Sequence, residues 1–254
     1  MEIKESDFVQ SLEKGLNVLL AFSNEKKAMT LSEVAERTDL SRAAARRFLL
    51  TYSYLGYMQN DGKHFSLTPK VLDLGYNYIS SMDIIEIAKP FMVKLSKEVE
   101  ESCSIGLIEN KDIVYIVQEQ VSRVMTVSLK VGSRLPAHLT SMGRMILAMN
   151  EGLKNELLDK FDYKQLTENT IVDKNSLSLE LNKIKKQGYA FVDQELEVGL
   201  RAISTPIFSK NEKVIYALTI LSPTNRFTKN EMIKRFLEPM QQACIQISSI
   251  LEKQ

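Results

Sequence analysis

Ser41, Arg42, Ala43, Arg46 and Arg47 stand within one short stretch, SRAAARRFLL, and carry the chemistry of nucleic-acid contact. At helical spacing Arg42, Ala43, Arg46 and Arg47 share one side, and Ala44, Ala45, Phe48 and Tyr52 share the other. A guanidinium reads guanine O6 and N7 in the major groove and also forks onto phosphate. Ala43 keeps the arginine side low enough to approach a surface, while the opposite alanines permit close docking on a neighbouring helix. Downstream, Asn60-Asp61-Gly62 is a hairpin signal. Lys63 and His64 therefore fall near the tip of a short ribbon that faces a DNA backbone, with His64 a surface residue and not a metal ligand.

A second chemistry is anion binding. In GSRLPAHLTSMGRMILAMN, Thr140 or Ser141 caps a helix whose first N–H groups, with two hydroxyls, form an anion site. Arg134 lies just upstream, and Arg201 follows Glu195, Glu197 and Gly199 in DQELEVGLRAISTP. Either arginine is suited to clamp a carboxylate; the competing expectation for each is an ion pair with a nearby glutamate. His138, Ser141 and Glu195 contain the residue types of a hydrolytic triad. Ser141 lacks the G-x-S-x-G turn, and no P-loop, dinucleotide fingerprint or metal-ligand cluster occurs. The expectation is a protein that is not an enzyme and carries no cofactor or metal, with His138 in a structural hydrogen bond.

These groups need elements to hold them. DFVQSLEKGLNVLLAF spaces Leu12, Leu16, Leu19 and Leu20 as a helix does. A second helix fits TLSEVAERTDL, capped by Thr30 or Ser32, with Val34, Ala35 and Leu40 turned inward. The third runs from Ser41 to about Tyr54, and Asp39 is placed to take a left-handed conformation in the tight turn between. Helix, turn, helix and hairpin in this order read as a winged helix-turn-helix. Thr68 and Pro69 then open a further helix carrying Val71, Leu72, Gly75 and Ile79, broken at Ser80-Ser81. Asp83 caps another, which Pro90 interrupts or restarts. The boundary near Ser80 gives two domains, residues 1–80 and 81–254. Beyond it SCSIGLIEN, DIVYIVQEQ, VMTVSLKVG, YAFVDQE, RAISTPIF and KVIYALTIL read as strands, with helices near 140–150, 152–160, 176–187 and from Thr228 onward. The fold class is α+β with a mostly antiparallel sheet.

Over 254 residues the formal net charge is +1, so any basic patch is local. An apolar share of 44% and a charged share of 26% suit a globular chain. Cys103 and Cys244 lie far apart in apolar surroundings, as buried free thiols do. No apolar run approaches transmembrane length and no signal-like segment follows Met1, so a cytoplasmic protein without membrane contact is expected.

The blocks SLEKGLNVLLAF, LSEVAERTDLSRAAARRFLLTYSYLGY, LPAHLTSMGRMILA and GYAFVDQELEVGLRAISTPI, in that order, resemble the IclR family of bacterial transcription regulators. Their wording looks closest to the subgroup that regulates protocatechuate and 4-hydroxybenzoate catabolism. The resemblance implies a winged helix-turn-helix, a linker helix and a GAF-like effector domain. It further implies a homodimer or dimer of dimers formed through the N-terminal part and linker, with double-stranded operator DNA as partner. By position the recognition helix falls on Ser41–Thr51, and the effector pocket on Leu135, Ser141, Met142, Ala202, Thr219 and Leu221. Members that sense glyoxylate or pyruvate carry a very small residue in place of Met142 and cysteine in place of Ala202. An aromatic acid is therefore the expected effector. The alternatives are a small keto or dicarboxylic acid and, more remotely, a ligand-binding or hydrolytic protein without DNA function.

Overall fold

The structure is a computed structural model and describes residues 4, 7–23, 25–75, 83–121, 129–209 and 213–253. The chain divides into two compact units, Met1–Ser81 and Met82–Gln254.

In the first unit, helix α1 (Gln10–Leu20) precedes strand β1 (Ala28–Thr30), α2 (Leu31–Arg37) and α3 (Arg42–Tyr54). Strands β2 (Met58–Asn60) and β3 (His64–Leu67) follow. Of the two candidate caps for α2, Thr30 is the one used. Its hydroxyl accepts from Glu33 N–H while the Glu33 carboxylate accepts from Thr30 N–H. Asp39 turns the chain between α2 and α3 at φ 52°, as its short polar side chain permits. Ser41 then caps α3 by accepting from Ala44 N–H at 3.2 Å. The sheet is three-stranded in the order β1-β3-β2, so the hairpin acquires an additional strand that the sequence reading did not include.

Ala45 and Leu49 are the buried side chains of α3, packed with Val18, Val34, Met29 and Phe65. Gly15 lets α1 lie against α3; a Cβ there would stand 2.9 Å from the Tyr52 hydroxyl. The leucine stripe of α1 behaves differently from an ordinary core stripe. Leu12, Leu16 and Leu20 are exposed, alongside Phe8 and Val9, while Gly15 and Val18 are the residues of this helix that are buried. After β3, a 3₁₀ turn at Pro69–Leu72 begins the segment read as the linker helix. Ile79 and Ser80-Ser81 lie outside the described residues, as does most of VMTVSLKVG.

The second unit opens with α4 (Asp83–Val99), which runs unbroken through Pro90 and so corrects the expected interruption. Pro90 is exposed, while Ile84, Ala88, Met92 and Leu95 hold the buried side together. Strands β4 (Cys103–Glu109), β5 (Asp112–Glu119) and β6 (Arg134–Pro136) lead to α5 (Ser141–Met149), α6 (Glu151–Leu157) and α7 (Lys174–Gln187). The chain ends with β7 (Ala190–Asp193), β8 (Leu200–Ser209), β9 (Lys213–Pro223) and α8 (Lys229–Leu251).

All six strands pair antiparallel in the order β6-β5-β4-β9-β8-β7. Strand alternation divides the side chains between two layers. Ile203, Ile207, Leu218 and Ile220 meet α4 and α8; Ile113, Tyr115, Ala190 and Ala217 meet α5 and α7. Cys103 and Cys244 are buried in the first layer as free thiols, and burial pushes each up to about 12. No described helix is long and apolar enough to cross a membrane.

Candidate DNA-binding face and effector pocket

On α3, Arg42, Ala43, Arg46 and Arg47 are exposed together, and none of the three arginines makes an ion pair among the described residues. Freedom from carboxylates leaves their guanidinium donors available to bases or phosphates. The wing tip is tightly specified. Asn60 Oδ1 accepts from Gly62 N–H at 2.8 Å, and Asp61 Oδ1 accepts from Lys63 and His64 N–H at 2.9 and 2.7 Å. Gly62 takes φ 99°, which a side chain would resist. Lys63 projects into solvent, and the His64 ring stands 3.4 Å from the Asp61 carboxylate. Asp61 itself is held below the usual carboxylate range by the His64 and Lys63 N–H groups.

The second unit contains a small pocket where α5 meets the sheet. Leu135, Ser141, Arg201, Ala202, Thr219 and Leu221 line it, joined by Tyr115, Leu139, Thr140, Val192, Leu196, Glu197 and Leu200. Of these further residues, Leu196 and Glu197 come from the loop Gln194–Gly199 and the rest from the flanking strands and the turn before α5. Gln194 and Gly199 frame that loop at φ 57° and 88°. Free space within the lining amounts to about 30 Å³, and the pocket opens partly to solvent.

Its polar floor is a triangle of buried hydroxyls. Ser141 Oγ lies 2.7 Å from Ser204 Oγ and 3.2 Å from Thr219 Oγ1, and Thr219 donates to the Ile203 carbonyl at 3.1 Å. Thr140, the actual cap of α5, accepts from Gly143 N–H, and Arg144 N–H reaches the Thr140 carbonyl. The Ser141 and Met142 N–H groups thus precede the first intrahelical bond and carry the positive end of the helix dipole.

Three expectations are corrected. Arg134 sits on edge strand β6, half-exposed, with Nη1 on Glu109 at 2.5 Å and Nε 3.5 Å from Asp112, outside the pocket lining. The register that brings Val114 opposite Arg134 puts those carboxylates within its reach. Arg201 lines the pocket, but its head is committed: Nε donates to Asp193 at 2.7 Å and Nη1 to the Phe227 carbonyl at 2.9 Å. Met142 turns into the core, its sulfur against Gly106 of β4, where a Cβ would come within 3.2 Å of it. It does not line the pocket.

The buried arginine of this domain is Arg144, which sequence reasoning passed over. It is 1% exposed, forks onto both Glu195 oxygens at 2.6 Å, and donates through Nε to the His138 carbonyl at 2.7 Å. Its signal was legible: one arginine inside the apolar run MGRMILAM requires a buried acid. This pair also answers the triad question. Glu195 belongs to Arg144, Ser141 to Ser204 and Thr219, and neither His138 ring nitrogen has a hydrogen-bond partner. The three groups form no relay, and the structural hydrogen bond expected of His138 is absent too, because its ring is packed against Phe161 and Tyr163.

Both halves of the chain match family models: residues 11–62 the IclR helix-turn-helix domain, and residues 76–249 the bacterial transcriptional regulator IclR C-terminal domain. The chain belongs to the IclR family. Among IclR relatives, the Pca regulon regulatory protein of Pseudomonas putida is 40% identical over 92% of this chain and 81% of its own length. The p-hydroxybenzoate hydroxylase transcriptional activator of Acinetobacter baylyi is 34% identical over 93% and 89%. A crystal structure of a putative transcriptional regulator from Rhodococcus superposes with a TM-score of 0.88 at 40% identity, covering 97% of this chain and 99% of that one. The protein is thus an IclR-type DNA-binding transcription regulator, built from a helix-turn-helix domain and an α+β domain with an antiparallel sheet.

Proposed function

We propose that this regulator grips operator DNA through Arg42, Arg46 and Arg47, with Ser41 and Ala43 at the groove and Lys63 and His64 on the backbone. A small aromatic acid tunes the grip from the pocket beneath Gln194–Gly199. One observation carries the effector reading: the buried hydroxyls of Ser141 and Thr219, backed by Ser204, stand together at the open end of α5 in a pocket with several apolar walls. A carboxylate placed there receives N–H and O–H donors, while Leu135, Ala202 and Leu221 give a ring its apolar walls. The relatives' regulation of Pca and p-hydroxybenzoate hydroxylase genes supports an aromatic ligand over a keto acid. Arg134 and Arg201 take no part in holding it, since their heads are already engaged.

The exposed stripe of Phe8, Val9, Leu12, Leu16 and Leu20 supports assembly through the N-terminal part, as a homodimer or a dimer of dimers. A dimer presents two recognition helices to half-sites about one helical turn, or a multiple, apart. The effector acts by binding one arrangement better than another, and shifts the balance only by that difference. Such a regulator works in the cytoplasm, away from membranes.

Thermal unfolding against hydroxybenzoates, protocatechuate, pyruvate, glyoxylate and dicarboxylates tests the reading. A ligand at about a hundredfold excess over its dissociation constant adds about 2.7 kcal/mol. Stabilisation by an aromatic acid that is reduced in Ser141→Ala, yet kept whole in Arg134→Met, is the expected result. Stabilisation by pyruvate or a dicarboxylate alone would overturn it.

A further inference from the structure

On the other side of the 3₁₀ turn Ala137–Leu139 lies a second, larger cavity of about 200 Å³. It shares Leu139 with the effector pocket, and its other walls include His138, Phe161, Leu166, Lys111 and Lys164. His138 is 3% exposed, and both its ring nitrogens are buried without a hydrogen-bond partner. Among the described residues these are the buried side-chain polar atoms left in that condition. Unmade hydrogen bonds at such depth mark a site that something else completes.

The ring is also uncharged. Burial, then the Arg144 charge, push its pKa down to about 4, and the Asp162 backbone opposes this without meeting hydrogen-bond geometry. A neutral imidazole presents one N–H and one bare nitrogen, and a hydroxyl answers either. On the exposed side of the cavity, Lys111 and Lys164 make no ion pair among the described residues. Asp112 is already engaged by Arg134, which leaves two cations against the single Asp162 carboxylate. A carboxylate is the complementary anion. As for size, an apolar cavity of about 150 Å³ takes benzene, so this one accommodates a ring with its substituents.

We propose that this cavity is a second ligand site, taking a single-ring hydroxylated carboxylate with its hydroxyl toward His138 and its carboxylate toward Lys111 and Lys164. The site is wired to the first. The His138 carbonyl receives Arg144 Nε, and Arg144 holds Glu195 at the start of the loop over the effector pocket. An occupant that shifts His138 therefore acts on that loop; this coupling rests on the effector reading, whereas binding in the cavity does not.

The chain has two histidines, so ¹³C-histidine NMR isolates His138 once His64→Gln removes the other signal. Titration with 4-hydroxybenzoate and with protocatechuate, beside calorimetry, reads both sites. The expected result is two equivalents per chain, with the His138 resonance following one of them. In the Lys111→Glu/Lys164→Glu variant, both changes being on exposed side chains, the event seen at His138 weakens about tenfold while the other persists. In Ser141→Ala the pattern reverses. A His138 resonance that stays still to saturation, or titrates with the same midpoint in the lysine variant, overturns the second site. Loss of the Ser141-dependent event alone counts instead against the effector reading.

Discussion

At the scale of single residues, partners decide what a charged side chain does. Arg42, Arg46 and Arg47 have none among the described residues and stay available; Arg134, Arg144 and Arg201 are each consumed by a carboxylate. Arg46→Ala is expected to weaken operator binding by about 1–3 kcal/mol and to relax specificity at one base pair. A gel-shift series over single-base operator variants checks this; a uniform loss with a shallower salt slope would mark a phosphate contact instead. The sequence showed the free arginines as a helical face, because a 3.6-residue period needs no knowledge of tertiary neighbours. It could not show that Glu109 and Asp193 stand beside Arg134 and Arg201, since strand register alone makes those neighbours. His138 gives the second prediction at this scale. Its folded pKa of about 4 lies below the ordinary 6.5, so the unfolded chain binds the extra proton first. The stability it contributes is complete above about pH 6.5 and is lost as pH falls toward 4, by about 2 kcal/mol at pH 5. Urea unfolding at pH 7 and pH 5 should show that slope in the native protein and lose it in His138→Phe.

Elements show where turn chemistry and close approach are specified. Asp39, Ser41 and Asn60-Asp61-Gly62 carried the helix-turn-helix and wing in plain view, because each has a local conformational reason. The course of α5 was less visible. Gly143 lies so near the Ala137 backbone that a Cβ there would overlap it. The close approach sets the direction of Ser141 and of the pocket's hydroxyl triangle. Gly143→Ala is expected to destabilise the second unit by about 1–3 kcal/mol, as overpacking does. Differential scanning calorimetry should show the loss in the transition of that unit and leave the helix-turn-helix transition in place. Pro90 teaches the converse lesson: a proline on the wet side of α4 reads as a break in sequence, yet the buried stripe carries the helix across it.

For the whole molecule, the stripe of α1 matters most, since its own unit leaves Leu12, Leu16 and Leu20 uncovered. Periodicity revealed a helix but not that its apolar side would stay exposed within its own unit. Leu16→Asp is expected to yield monomers in sedimentation and to weaken operator binding far more than any single arginine change, because paired half-site contact is lost. A dimer that survives this charge would remove α1 from the interface.

The two thiols described in the sheet layer have a consequence of another kind. Cys103 and Cys244 both belong to the second unit, and the helix-turn-helix unit contains no cysteine. Alkylating reagents attack the thiolate, which burial all but abolishes near neutral pH. The rate at which an added maleimide marks the native protein is then a clock for transient opening of the sensor alone. Run with and without an aromatic acid, it reports how much longer the occupied domain stays shut.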